Sequence, residues 1–189
     1  MISEDLGYQK SRKVNRILAL VISGIYVMVV LPLIGIFISL FLDSLFRFPK
    51  IFLFPMNIII SIIFLIIGVI FGIWSNFEIY RTGKGSPVPL KGTHTTELVF
   101  KGPYKYSRNP MVFGYILLWL GLGFLFNSIF LILGFTLIIS LLLIILVKFW
   151  EEKNMTNRFG KSYLEYKSRV SFLIPLPQKK SNQETIKNE

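Results

Sequence analysis

The chain has 189 residues, 53% of them hydrophobic, and a mean hydropathy of +0.61, which is too apolar for a typical soluble domain. It has no cysteine and one histidine, which excludes disulfides, a thiol nucleophile and a metal site built from several histidines. The formal net charge of +11 would suit a nucleic-acid-binding protein, but the distribution of the charges argues against that function.

Three uncharged runs predict membrane-spanning helices. They cover residues 17–42, 51–77 and 111–147, and each exceeds the ~18–20 residues that a helix needs to cross a bilayer core. The first run is too long for the apolar core of a signal peptide, and no small-residue cleavage site closes it. Pro32 and Gly35 within it either kink the helix or are tolerated there. We therefore expect an integral membrane protein that retains this span.

The third run is long enough for two spans. Its 37 residues would form roughly 55 Å of helix at ~1.5 Å per residue, which is nearly two bilayer cores. We divide the run at Asn127-Ser128, which gives tight spans over residues 111–126 and 129–147. The sequence thus predicts four transmembrane helices.

Lysine and arginine lie almost entirely on one side of this arrangement. Nineteen of the 21 fall in the N-terminal tail, in the loop between spans two and three, or after residue 147, whereas only Arg47 and Lys50 lie on the other side. The positive-inside rule makes the side with nineteen cytoplasmic. Topology and anionic lipid headgroups then explain the basic charge, and no nucleic-acid partner is expected.

The polar segments complete the predicted organisation. We expect a cytoplasmic tail at residues 1–16, a transmembrane hairpin at 17–77, and a disordered tail at 176–189. Residues 78–175 hold spans three and four together with the candidate site.

A helix is predicted after span four. Apolar residues recur there every three or four positions, at Met155, Phe159, Tyr163, Tyr166 and Val170. This spacing indicates one amphipathic helix on the cytoplasmic face. The expected fold class is all-α integral membrane, with four transmembrane helices and a cytoplasmic amphipathic C-terminal helix.

A polar cluster lies at the cytoplasmic ends of spans three and four. Arg108, Asn109 and Pro110 precede span three, and Glu151 and Glu152 follow span four, so a helical hairpin would bring them together. Proline suits the first turn of a helix, whose free N–H groups favour an anion. Arginine can clamp a carboxylate through two hydrogen bonds, and the glutamates offer a site for a cation.

A ligand with both a carboxylate and a cation fits this cluster, and S-adenosylmethionine is such a ligand. An apolar co-substrate would reach it from the lipid. The residues alone leave a second interpretation open, since arginine, tyrosine and glutamate at a membrane boundary often only anchor helices.

Two motifs together resemble the isoprenylcysteine carboxyl methyltransferase family, which includes prokaryotic members and is related to the phospholipid methyltransferases. The first, "GPYKYSRNPMVFG", contains Gly102, Tyr104 and the Arg108-Asn109-Pro110 triplet. The second, "EEKNMTNRFGKSYLEYKSRV", contains Glu151-Glu152 and the Phe159-Gly160 pair with two tyrosines. Their order and spacing across a helical hairpin carry the resemblance, which covers about half the chain.

The resemblance implies an S-adenosylmethionine-dependent methyltransferase without a Rossmann fold, acting on a lipophilic small molecule or a membrane lipid. Its cofactor would be enclosed at the cytoplasmic membrane face, and no metal is implied. Arg108 and Glu152 are the expected catalytic residues. The expected cofactor-binding residues are Thr96, Glu97, Leu98, Val99, Tyr104, Asn109, Pro110, Met111, Val112 and Glu151.

The chain departs from the family pattern at several positions. Asn109 stands where eukaryotic members have histidine, Val112 replaces a tyrosine, and His94 lies two positions before a family histidine. Val147 stands where eukaryotic members place an arginine for a prenylated carboxylate, which argues against prenylcysteine as the acceptor. For an amine or alcohol acceptor, Glu152 is the nearest candidate base.

Two other functions stay open at this point. The first is a membrane NADPH-dependent lipid reductase of the steroid 5-alpha-reductase type, which has a related arginine/asparagine-proline segment. Those proteins tend to place a glutamate where this chain has Tyr115. The second is a non-enzymatic membrane adaptor, which would bind neither cofactor.

Overall fold

The computed structural model of the chain describes residues 18, 22, 24–83 and 95–178. The tail predicted at residues 1–16, most of the tail predicted at 176–189, and His94 lie outside the described residues. Within the described ranges the chain is helical and contains no β-strand. Its single backbone bridge joins Ser107 to Ser171.

Five helices organise the described part of the chain. In chain order they are α1 (Tyr26–Leu45), α2 (Met56–Gly83), α3 (Pro110–Phe126), α4 (Phe130–Phe159) and α5 (Lys161–Arg169). With 20, 28 and 30 residues, α1, α2 and α4 are long and apolar enough to cross a membrane. α3 is apolar but has 17 residues, about 25 Å of helix. The protein is therefore an integral membrane protein with three helices of spanning length.

The turn between α3 and α4 lies where the third apolar run was divided. Asn127 has φ 49° and ψ 47°, a left-handed conformation that ends α3, as asparagine often does at a helix C-terminus. Its Oδ1 accepts hydrogen bonds from the backbone N–H groups of Ile51, at 3.1 Å, and Phe52, at 3.2 Å. This side chain thus joins the α3–α4 turn to the segment between α1 and α2.

Small residues bring α2 and α3 close together. A Cβ atom on Gly68 would lie 2.8 Å from the carbonyl oxygen of Gly114, and one on Gly114 would lie 2.8 Å from that of Gly68. The Ser61 hydroxyl also donates a 2.9 Å hydrogen bond to the carbonyl of Gly121. Close backbone approach and polar bonds of this kind hold helices together in membranes. The packing fixes the end of α2 beside the start of α3.

α1 has a widened turn before its proline. Pro32 has no N–H group to bond the carbonyl of Met28, and the preceding turn, Tyr26–Val30, is π-helical. The carbonyl oxygen of Val27 in this turn accepts a 2.7 Å hydrogen bond from the hydroxyl group of Tyr115 on α3. The proline is therefore accommodated by a π turn that also ties α1 to α3.

The helix predicted after span four is divided in two. α4 runs without interruption to Phe159, and Gly160, with φ 52° and ψ −126°, separates it from α5. Glycine adopts such a conformation without the steric cost that other residues incur. Tyr163 and Val170 of the predicted apolar stripe are buried in the protein. The prediction of one continuous amphipathic helix is therefore wrong, because the chain is interrupted at Gly160.

Candidate active site

A segment that follows α5 holds the polar cluster in place. This segment, residues 171–176, is here called the C-terminal strap. The backbone N–H of Arg108 donates a 2.9 Å hydrogen bond to the carbonyl of Ser171. The Asn109 side chain donates one of 2.7 Å from Nδ2 to the carbonyl of Phe172. The strap therefore sets the orientation of both residues just before α3.

Glu152 joins α4 to this cluster through two ion pairs. One carboxylate oxygen pairs with the guanidinium of Arg108, and the other lies 2.7 Å from Nζ of Lys167 on α5. The Glu152 and Arg108 side chains are only 7% and 10% exposed, whereas that of Lys167 is 41% exposed. A buried carboxylate needs such partners to offset its desolvation. Both oxygens of Glu152 are thus engaged.

Three tyrosines line the region between α5 and the start of α3. The Tyr166 hydroxyl donates a 2.7 Å hydrogen bond to the carbonyl oxygen of Tyr104. Burial, followed by the charge of Glu151, raises the pKa of Tyr104 well above its ordinary value. Burial, followed by the charge of Glu152, raises the pKa of Tyr163 to about 12. These tyrosines are therefore neutral hydrogen-bonding groups at neutral pH.

The short 3₁₀ turn that carries Tyr104, Gly102–Lys105, begins at a constrained glycine; it is here called the Tyr104 turn. Gly102 has φ 57°, and a Cβ atom there would lie 3.0 Å from both Oε2 of Glu78 and Nε1 of Trp74. Glu78 is itself buried and accepts a hydrogen bond from the hydroxyl of Thr82. Only glycine fits this conformation and this spacing readily. The end of α2 therefore determines the position of the turn that carries Tyr104.

A cavity opens between these elements. The space between their atoms is about 780 Å³, including open solvent at the mouth of the cavity. The residues that line it come from α2, the segment before α3, α4 and α5: Ile79, Thr95, Val99, Tyr104, Arg108, Asn109, Val147, Glu151, Glu152, Asn154, Met155, Arg158, Tyr163 and Tyr166.

Two charged lining residues have no ion-pair partner among the described residues. Glu151 is exposed to the cavity, and no described cation lies within salt-bridge distance of it. Arg158 donates a hydrogen bond to the carbonyl of Thr95 and lies over the ring of Phe159, 4.9 Å from its centroid. The cavity therefore presents one negative and one positive group to a ligand.

The structure brings half of the predicted site residues to this cavity: Val99, Tyr104, Arg108, Asn109, Glu151 and Glu152. The other half do not line it. Thr96 and Glu97 are exposed, and their backbone N–H groups donate hydrogen bonds to the carbonyl oxygen of Gly83. Leu98 lines a separate surface groove beside α5. The remaining three lie in the first turn of α3: Pro110, which is fully buried, and Met111 and Val112, which are partly buried.

Sequence reasoning missed several lining residues on α4. Asn154, Met155 and Arg158 follow Glu151 by three, four and seven positions, which places all of them on one helix face. The predicted role of Glu151, combined with this helical period, would have identified them. The sequence pattern places Met155 in the predicted apolar stripe instead. The described residues contain no group of three or more metal-ligating side chains.

Comparison with known proteins agrees with the motifs. The sequence model of the phospholipid methyltransferase (PEMT) family matches residues 56–162. The match runs from the start of α2 to the start of α5 and includes every residue found to line the cavity except Tyr163 and Tyr166. No curated protein and no solved structure matches the chain.

Proposed function

Since this chain belongs to the phospholipid methyltransferase family, we propose that its cavity binds S-adenosylmethionine and opens toward a lipophilic methyl acceptor. The family consists of integral-membrane methyltransferases that use S-adenosylmethionine, so the protein is a membrane methyltransferase with this methyl donor. The reductase alternative is not favoured by the match. The proposal concerns where the donor binds and from which side the acceptor arrives.

We propose that α3 is a fourth transmembrane span. Its apolar composition, the turn at Asn127 and the packing of Gly114 against α2 support this. With four spans, the cavity lies on the side that carries nineteen of the 21 lysines and arginines, which is the cytoplasmic side by the positive-inside rule. Cytoplasmic S-adenosylmethionine could then enter the cavity directly.

Glu151 is the observation that carries the cofactor proposal. It is a carboxylate in the cavity without a cation among the described residues, and S-adenosylmethionine carries a sulfonium and an ammonium group. Tyr104 lies in the same cavity and offers an aromatic face to the adenosyl moiety. When bound, S-adenosylmethionine supplies an electrophilic methyl group. The protein's contribution is to position the reactants in line and exclude water.

Arg108 and Glu152 take a positioning role in this proposal. Each is the other's ion-pair partner, and Lys167 occupies the second oxygen of Glu152. A proton taken up by Glu152 would disrupt one of these pairs, so the geometry does not favour it as a base. The three residues Arg108, Glu152 and Lys167 instead join the segment before α3 to α4 and α5. They thereby hold the segment of Asn109 and the helix of Glu151 around the same cavity.

We propose that the methyl acceptor enters the cavity from its apolar edge. Ile79 on α2 and Val147 on α4 form that edge, and the neighbouring side chains of Phe149 and Trp150 are largely exposed. Val147 provides no charge for a prenylcysteine carboxylate. We therefore expect methylation of phosphatidylethanolamine in mixed micelles to exceed that of a farnesylcysteine analogue. Efficient turnover of farnesylcysteine alone would contradict this order.

Calorimetric titration of the detergent-purified protein tests the cofactor proposal. S-adenosylmethionine and NADPH are titrated separately into the same preparation. We expect saturable binding of S-adenosylmethionine and none of NADPH. Binding of NADPH alone would contradict the proposal and support the reductase alternative. Binding of neither ligand would contradict it and support a non-enzymatic adaptor.

A further inference from the structure

Some of the charges that line the cavity have no ion-pair partner among the residues that the structure describes. Arg108 and Glu152 neutralise each other, and Lys167 adds a second cation to Glu152 from outside the cavity. Glu151 and Arg158 remain as the two lining charges without an ion pair among the described residues. A ligand that compensates both must carry a cation and an anion.

The two charges lie on one face of α4. They are seven residues apart, with Asn154 and Met155 between them on the same lining stripe. Seven residues correspond to two helical turns and about 10 Å along the axis. Val147, at the apolar end of the stripe, is four residues before Glu151. The guanidinium therefore belongs to the end of the cavity farthest from the apolar run.

The Arg158 side chain is held toward the cavity by two contacts. Its Nη2 group donates to the carbonyl of Thr95, and its guanidinium lies over the ring of Phe159. Guanidinium has five N–H donors in a planar fork. The bond to Thr95 occupies one nitrogen and leaves other N–H groups for a carboxylate, which arginine binds well in a bidentate geometry.

We propose that Arg158 binds the α-carboxylate of S-adenosylmethionine, while Glu151 faces its cationic part. The inference rests on the proposed function and assigns a binding residue to it. The orientation follows from the stripe. The reactive sulfonium must lie toward Val147, where a lipophilic acceptor arrives, and the carboxylate then extends toward Arg158. The charge of Arg108 is already compensated by Glu152, whereas Arg158 has no carboxylate partner among the described residues, so the proposal assigns the ligand carboxylate to Arg158.

Calorimetry with two ligands tests the assignment. The parent and Arg158→Gln proteins are each titrated with S-adenosylmethionine and with its decarboxylated analogue, which lacks the α-carboxylate. We expect the substitution to lower the affinity for S-adenosylmethionine roughly three- to twentyfold. The loss is moderate because an exposed arginine contributes less to binding than a buried one. Affinity for the decarboxylated analogue should be the same in both proteins. Arg158→Lys should retain part of the affinity for S-adenosylmethionine.

Arg169→Gln is the matched control, because Arg169 pairs with Glu165 on α5 and does not line the cavity. It should bind both ligands like the parent. An equal loss of both ligands in Arg158→Gln would mean that Arg158 only supports the fold through Thr95, and would overturn the assignment. Unchanged affinity for both would also overturn it. A parent protein that binds neither ligand would instead contradict the proposed function itself.

Discussion

Arg108 and Glu152, 44 residues apart in the chain, form an ion pair in which both side chains are almost fully buried. The pair connects the segment before α3 with the second half of α4, and both residues line the cavity. Because removal of one partner leaves the other charge uncompensated in a poorly solvated place, the pair should matter for stability as well as for ligand binding.

The first prediction concerns this pair. Arg108→Ala should lower the free energy of unfolding by roughly 3–5 kcal/mol, the cost typical of breaking a buried pair. Lys167→Ala should cost at most about 1 kcal/mol, because Lys167 is 41% exposed and exposed pairs contribute little. Thermal unfolding in detergent measures both. Equal losses in the two variants would show that Arg108 is not the main partner of Glu152.

The second prediction concerns the hydrogen bond between Tyr166 and Tyr104. Tyr166→Phe should destabilise the protein by about 1–2 kcal/mol, because it removes the partner of a carbonyl. It should also weaken S-adenosylmethionine binding, because the Tyr104 turn lines the cavity. Tyr106→Phe is the matched control, since this tyrosine is exposed and outside the cavity lining. A control as damaging as the test variant would argue against a specific role for Tyr166.

The third prediction concerns Gly102. Gly102→Ala should destabilise the protein by about 1–2 kcal/mol, because alanine is strained at φ 57° and its Cβ would press on Glu78 and Trp74. Gly72→Ala is the control, because a Cβ there meets nothing within 4 Å and alanine favours a helix. The unfolding midpoint of Gly102→Ala should be lower than that of the parent, whereas the midpoint of Gly72→Ala should be equal to or higher than that of the parent. A neutral Gly102→Ala would mean that the turn readily rearranges.

The fourth prediction concerns topology. Two single-cysteine variants are compared: Ser44→Cys, near the C-terminal end of α1, and Ser162→Cys, in α5. The two cysteines should react with membrane-impermeant reagents from opposite sides of the membrane. The expectation follows from four spans and from the charge distribution. Because the native chain has no cysteine, each variant carries a single label site. Labelling of both from the same side would contradict the four-span arrangement.

Parts of this architecture follow from the sequence because they depend on length and local chemistry. The lengths of the apolar runs identify α1, α2 and α4, and the excess length of the third run identifies the turn at Asn127. A hairpin of two helices was also sufficient to expect Arg108 near the two glutamates. These inferences need only helix geometry and the thickness of a bilayer.

Other parts do not follow from the sequence, because they depend on helix phase and on irregular backbone. α4 is π-helical at Val147–Glu151, which changes the direction of the side chains that follow. The choice of Glu152 rather than Glu151 as the partner of Arg108 depends on that phase. Carbonyl groups of the C-terminal strap accept hydrogen bonds from the backbone N–H of Arg108 and from the side chain of Asn109. These partners are far apart in sequence, and no local pattern marks such a contact.

The fifth prediction concerns Glu151 as the cavity's countercharge for the cofactor. Glu151→Gln keeps the size of the side chain and removes its charge. It should lower the affinity for S-adenosylmethionine roughly three- to tenfold, since Glu151 is a solvent-accessible residue whose charge is partly screened. Glu165→Gln is the matched control, because Glu165 pairs with Arg169 outside the cavity lining.

The central claim, that this cavity binds S-adenosylmethionine, is tested most directly by calorimetric titration of the cofactor into the parent, Glu151→Gln and Glu165→Gln proteins. The account predicts saturable binding to the parent, unchanged affinity in Glu165→Gln and a clear loss in Glu151→Gln at the same unfolding temperature. Equal affinity in all three correctly folded proteins would contradict it and place the cofactor elsewhere.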